Sequence, residues 1–162
     1  MVNSIFKRSL AVVAISTVLA AGAAAQTPPA KSPPPFSPGL GDLMTAFVQP
    51  RHAKLGLAGQ ARNWEYLAYE WSELNETFDL VEEQVPTYKT AAMKDLLAMI
   101  KTPMADLEAA IKARNGAKFD AAYAALTDGC NNCHRTTEHA MIVIQVPKAS
   151  TFPNQNFSAP KP

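Results

Sequence analysis

The chain has 162 residues, 15 basic and 14 acidic side chains, three histidines and two cysteines, with a formal charge of +1. That near-balance, with no basic stripe, argues against nucleic acid as a partner.

Met1–Ala25 reads as an export signal. Lys7 and Arg8 form a positive start, Ser9–Ala20 is a short apolar run, and Ala23-Ala24-Ala25 offers a cleavage site before Gln26. The apolar run falls short of the about 20 residues a spanning helix needs, so no membrane anchor is expected. Removing it leaves 137 of the 162 residues, with 13 of the 15 bases against 14 acids. One domain with one core fits that length. Residues 26–38 carry Pro28, Pro29, Pro33, Pro34, Pro35 and Pro38, and read as an extended linker.

From there the patterning is helical. Residues 40–57 suggest a first helix with Leu40, Met44, Phe47 or Val48, and Leu55 inward, closed by Gly59 and kinked or restarted at Pro50. In Asn63–Val85 the apolar residues Trp64, Leu67, Trp71, Leu74, Phe78, Val81 and Val85 alternate steps of three and four. Glu65, Glu70, Glu73, Glu76, Glu82 and Glu83 lie off that stripe. Asn63 is a suitable N-cap and Pro86 a stop; the two tryptophans read as packing residues rather than an electron relay. A helix over Thr87–Ile100 is expected next. Thr102 and Pro103 then suggest the cap and first residue of another helix, to Arg114, with Asn115-Gly116 as its stop.

The last helix, Ala117–Thr137, carries Phe119, Tyr123, Leu126, Cys130 and Cys133 along one seam. Its end reads Cys130-Asn131-Asn132-Cys133-His134, a C-x-x-C-H motif. In that pattern the thiols form thioethers with the vinyl groups of a haem, and the histidine gives iron an axial nitrogen. At helical spacing all three reach one side of a flat macrocycle. A zinc site would need further ligands, and a thioredoxin-like redox pair a βαβ context; neither is present in the pattern. Gly129 suggests either close approach of the macrocycle or a loosely packed turn. Four main helices with short connections predict an all-α, antiparallel up-down-up-down four-helix bundle over residues 39–147. An extended tail follows at 148–162. The apolar run Met141–Val146 is expected to be extended and packed, with prolines at 147, 153, 160 and 162 excluding a helix.

An exported helical chain with C-x-x-C-H at Cys130, Cys133 and His134 near its C-terminal end resembles the cytochrome c′ group, the class II c-type cytochromes. The resemblance covers about Leu40–Thr137. It implies one covalent haem c, periplasmic localisation, and electron transfer or binding of a diatomic gas such as NO. Partners would be redox proteins or the gas, with a homodimer allowed. Peroxidase-like catalysis is the least supported reading, since no acid–base pair marks a distal pocket. Within that group the first helix supplies the residue over the distal face of iron. Met44 stands at that place and is the candidate distal ligand; His52, two turns on, is its rival, and an open sixth position is the third option. Met as sixth ligand suits an electron carrier, and an open position suits a gas binder. His139 and Met141 lie on the side of His134 and are not expected over the distal face. Arg51, Lys54 or Arg135 could pair with haem propionates.

Overall fold

Helical backbone begins at Leu40 in the computed structural model, which describes residues 37–159. The signal segment and all but the last two residues of the proline-rich linker lie outside the described residues. The described part falls in one compact unit, Pro35–Pro162.

The first helical stretch has three segments without a break: α1 (Leu40–Leu43), a π segment (Met44–Val48) and α2 (Gln49–Gln60). Gly39 starts it, its N–H donated to Asp42 Oδ2 at 3.1 Å. Pro50 neither ends the helix nor opens a separate one. It sits in the first turn of α2, directly after a π turn in which Gln49 N–H reaches back five residues to Met44 C=O. Proline lacks a donor and crowds the carbonyl four residues earlier, and the wider turn ahead of it absorbs both effects.

Gly59 does not close this helix either, since α2 continues to Gln60. Reversal occurs at Arg62, in the left-handed region at φ 54°. Arg62 N–H bonds Gly59 C=O and Asn63 N–H bonds Ala58 C=O, the paired bonds of a Schellman ending. Asn63 then caps α3 (Trp64–Gln84), its Oδ1 accepting from Tyr66 N–H at 3.2 Å. The same three residue types, Ala113-Arg114-Asn115, make the turn between α4 and α5. Arg114 has φ 49°, Asn115 N–H bonds Ala110 C=O, and Asn115 Oδ1 accepts from Lys118 N–H. Gly116 is therefore the first residue of α5 (Gly116–Thr136), not part of a stop signal.

Between these turns the expected helix pair is replaced. Thr87–Tyr88 (β1) and Ala91–Ala92 (β2) form a small antiparallel hairpin, with Thr87 opposite Ala92. A single α4 (Met93–Lys112) follows and runs through Thr102 and Pro103. An interior proline costs ~3 kcal/mol. Continuity of the buried face, Met93, Leu96, Ile100, Met104, Leu107 and Ile111, outweighs that cost. Pro103 leaves the Met99 carbonyl without its helical donor. That carbonyl faces Gly129, where an added Cβ would lie 2.9 Å from Met99 O and 3.0 Å from Ile100 Cγ2. Gly129 thus serves the contact between α4 and α5.

The described chain is all-α apart from the two-residue strands. α2 packs on α3, α3 on α4, α4 on α5, and α2 also meets α5. On α3 the predicted stripe supplies core residues Leu67, Leu74, Phe78 and Val81, while Trp64, Trp71 and Val85 are half-buried at its margins. Glu70, expected toward solvent, is only 1% exposed. It lies three residues after Leu67 and four before Leu74, on the same helix face.

Candidate haem attachment site

Two glycines bring α5 against α2. A Cβ at Gly59 would lie 2.0 Å from the Phe119 ring, and one at Gly56 2.5 Å from the Tyr123 hydroxyl. Next along the interface is His52, 5% exposed and stacked on Tyr123 with ring centres 4.7 Å apart. Both ring nitrogens are engaged: Nε2 pairs with Thr127 Oγ1 at 3.0 Å and Nδ1 with Tyr123 Oη at 3.1 Å. Each hydroxyl also lies within hydrogen-bond distance of a backbone carbonyl, Tyr123 Oη 2.7 Å from His52 C=O and Thr127 Oγ1 2.9 Å from Tyr123 C=O; with the ring neutral, one of the two hydroxyls gives its proton to the imidazole instead. Burial holds the imidazole neutral, its pKa lowered to about 4. With no nitrogen free, His52 is a tie between α2 and α5 and a poor axial ligand.

One turn further along α5 are Cys130 and Cys133, both free thiols, half-buried against the hydrophobic core. Burial pushes the Cys130 thiol up to about 12 and Cys133 up as well, so both are protonated at neutral pH. His134 follows on the same helix. Its Nδ1–H donates to the Ile142 carbonyl at 2.8 Å, which in the neutral ring leaves the Nε2 lone pair uncommitted.

The acceptor comes from the residues after the helix. α5 ends in a third Schellman pair, with Glu138 at φ 65° and His139 N–H bonded to His134 C=O at 2.7 Å. The chain then folds back beside the motif. Asn131 grips Ile144 at both backbone groups, accepting its N–H and donating to its C=O, each at 2.8 Å. Asn132 donates to Met99 Sδ at 3.4 Å. Both intervening residues of the motif therefore hold neighbouring structure in place. Met141 closes a turn and residues 142–146 form neither helix nor strand; the expected packing is absent, since the side chains of Met141, Ile142, Val143 and Val146 are exposed. Only the backbone of this segment is tied down. His139 is engaged on its own side, Nδ1–H donating to Thr137 C=O at 2.7 Å, with Tyr88 Oη 3.4 Å from Nε2.

Beyond Pro147 the tail runs along α2 and α3. Gln60 Nε2 donates to Pro147 C=O, Gln155 Nε2 to Tyr66 Oη at 2.7 Å, and Asn63 Nδ2 to the Phe157 and Ser158 carbonyls. Phe157 is buried with its ring edge-on to Tyr66. Lys54 Nζ stands over the Phe152 ring at 5.3 Å, and Arg51 pairs with Glu73 at 2.7 Å. Of the three bases considered for propionates, only Arg135 is exposed at the motif helix's own end. Met44 is half-buried against the core at the start of the π turn.

The donor set suits a macrocycle better than a bare ion. Among the described residues no group of three or more His, Cys, Asp and Glu side chains is arranged to hold a metal. A porphyrin brings four nitrogens of its own and asks the chain for one axial nitrogen and two thiol anchors, which Cys130, Cys133 and His134 offer from one helix end. No helix among the described residues is long and apolar enough to cross a membrane. Sequence reasoning did not reach the roles of Asn131, Tyr123 and Thr127, whose partners lie far away in the chain. No family model, no curated protein and no solved structure matches this chain.

Proposed function

We propose that this protein is a periplasmic monohaem c-type cytochrome of the cytochrome c′ kind, an antiparallel up-down-up-down four-helix bundle that carries electrons. The observation that carries the reading is the His134 imidazole. Its Nδ1–H is held by the Ile142 carbonyl, which fixes ring orientation and tautomer and leaves Nε2 as the nitrogen able to bind iron. Cys130 and Cys133 would form the thioethers, fixing the macrocycle on the side from which His134 approaches. A haem c held there supplies a one-electron Fe(III)/Fe(II) couple. Met141, Ile142, Val143 and Val146, exposed on the segment that returns beside the motif, are apolar side chains that a bound haem edge could contact.

Register supports Met44 as the distal residue. His52 faces Thr127, Gly56 faces Tyr123 and Gly59 faces Phe119, so the two helices run in opposite senses. Extrapolated past His52 through the π segment, that register would set Val48 across from Cys130 and Met44 across from His134. Met44 opens a π turn, a backbone feature common at functional sites. A His–Met pair raises the reduction potential and suits a carrier. Export rests on Lys7, Arg8 and Ala23–Ala25 in the sequence.

The test is the ferric optical and EPR spectrum of the mature protein. A low-spin spectrum that becomes high-spin in Met44→Ala is expected. A high-spin spectrum in the unaltered protein, with ready uptake of NO, would replace the carrier by a gas-binding protein.

A further inference from the structure

The carbonyl that orients His134 has itself to be held in place. Ile142 C=O takes the Nδ1–H at 2.8 Å, yet it belongs to a segment whose apolar side chains are exposed at Met141, Ile142, Val143 and Val146. Burial therefore contributes little to fixing it, and hydrogen bonds carry the task. Among the described residues, three bonds besides that of His134 fasten residues 140–146. Ile142 N–H donates to His139 C=O at 2.8 Å, closing a local turn, and the other two both come from Asn131.

Asn131 suits that task. Its amide offers a donor and an acceptor side by side and meets the C=O and N–H of Ile144 at 2.8 Å each, the pairing that a neighbouring strand would make. On α5 it stands three residues before His134, so the two side chains are neighbours on one helix face. They grip the segment two positions apart, Asn131 at Ile144 and His134 at Ile142. The local turn fixes the near side of Ile142, and Asn131 fixes the far side. On the reading of Cys130, Cys133 and His134 as a haem attachment motif, we propose that Asn131 is a positioning residue for the axial ligand. By clamping Ile144 it holds the Ile142 carbonyl against His134 Nδ1–H and so keeps Nε2 as the nitrogen turned to iron. Partners of this outer kind fix a ligand's tautomer and ring orientation. A residue between the two cysteines, which thioether chemistry leaves unspecified, thereby governs how the histidine meets the metal.

The experiment compares the full mature chain with its Asn131→Ala, Asn131→Asp and Gln60→Ala variants. Gln60 is the control, because its bond to Pro147 C=O fastens the same tail just beyond the segment without touching Ile142 or Ile144. Each protein is reduced, under carbon monoxide where the iron is otherwise high-spin, and solvent exchange of the His134 Nδ1 proton is measured by NMR. Exchange about fivefold faster is expected in Asn131→Ala. Asn131→Asp keeps the acceptor for Ile144 N–H and loses the donor, so it should fall between that variant and the parent. Gln60→Ala should match the parent. Parent-like exchange in Asn131→Ala, or equal acceleration in Gln60→Ala, would overturn the proposal. Intact mass reports haem separately. In a chain without haem the reading of the motif fails, and the clamp is judged from the ring-nitrogen shifts of His134 at about pH 8, where imidazole is neutral. A move from the Nδ1–H toward the Nε2–H form in Asn131→Ala but not in Gln60→Ala supports the clamp, and an unchanged tautomer overturns it.

Discussion

The two ends of α5 are finished in opposite ways. At the N-terminal end the chain satisfies itself. Arg62, in the turn between α2 and α3, binds Asp120 through both guanidinium nitrogens at 2.7 and 2.8 Å and donates to Gly116 C=O. Arg114, in the matching turn, reaches Glu65 at the start of α3 at 2.7 Å. Both turns carry a Schellman ending followed by an asparagine cap. At the C-terminal end two thiols are free, His134 uses one ring nitrogen, and four apolar side chains of the returning segment are exposed. Such a contrast on one helix teaches where function sits. The proposed attachment of a haem falls at the end where the thiols and one ring nitrogen are uncommitted, and not at the end tied by ion pairs and caps.

The contrast can be broken at the closed side first. Gly59→Ala drives a methyl into the Phe119 ring and should cost ~3 kcal/mol, lowering Tm by roughly 10 °C in a thermal melt. A melt within about 2 °C of the parent would mean that α2 and α5 are not in that close contact.

Acid tests the tie between the two ends. His52 has a pKa of about 4 when folded against 6.5 when free. Between those values the unfolded chain binds the extra proton, so stability rises with pH there. The contribution is complete above about pH 6.5 and is lost as pH falls toward 4. It is worth ~3 kcal/mol, and His52→Gln should flatten that part of a stability–pH curve measured by urea unfolding. An unchanged slope in the variant would show that carboxylates, not His52, set the acid limit.

Smaller effects sharpen the difference between the ends. Asn131→Ala removes both bonds to Ile144, about 1 kcal/mol, and should speed amide exchange at Ile144 while leaving the α2–α5 interface protected. Spread of the effect to Leu55 or Leu126 would mean the returning segment and the core unfold together. Arg62→Ala removes an exposed pair and should change stability by less than ~1 kcal/mol.

Helix content and the seam of α5 were legible because burial recurs every three to four residues, which local sequence records directly. Where the reading failed, a distant partner decided. Pro103 looked like a helix start, yet the apolar period on both sides of it carries α4 through, with Gly129 of α5 accommodating the Met99 carbonyl. Gly59 looked like a stop, but its missing side chain makes room for Phe119, and Arg62 takes the left-handed position. Glu70 was legible in principle from its spacing to Leu67 and Leu74; its charge hid it. At the motif, Cys130, Cys133 and His134 were readable as a unit because one helical turn joins them. The Ile142 carbonyl that orients His134 depends on how the tail returns, which no local pattern encodes.

The proposed haem is bound covalently at one helix end, Cys130 to His134. Its most direct test is the intact mass of the mature protein, purified under denaturing conditions after expression with a c-type maturation system. The account predicts one haem per chain, retained through denaturation and absent from the Cys130→Ala/Cys133→Ala double variant. Two unmodified thiols, or a Cys130–Cys133 disulfide in place of haem, would contradict it.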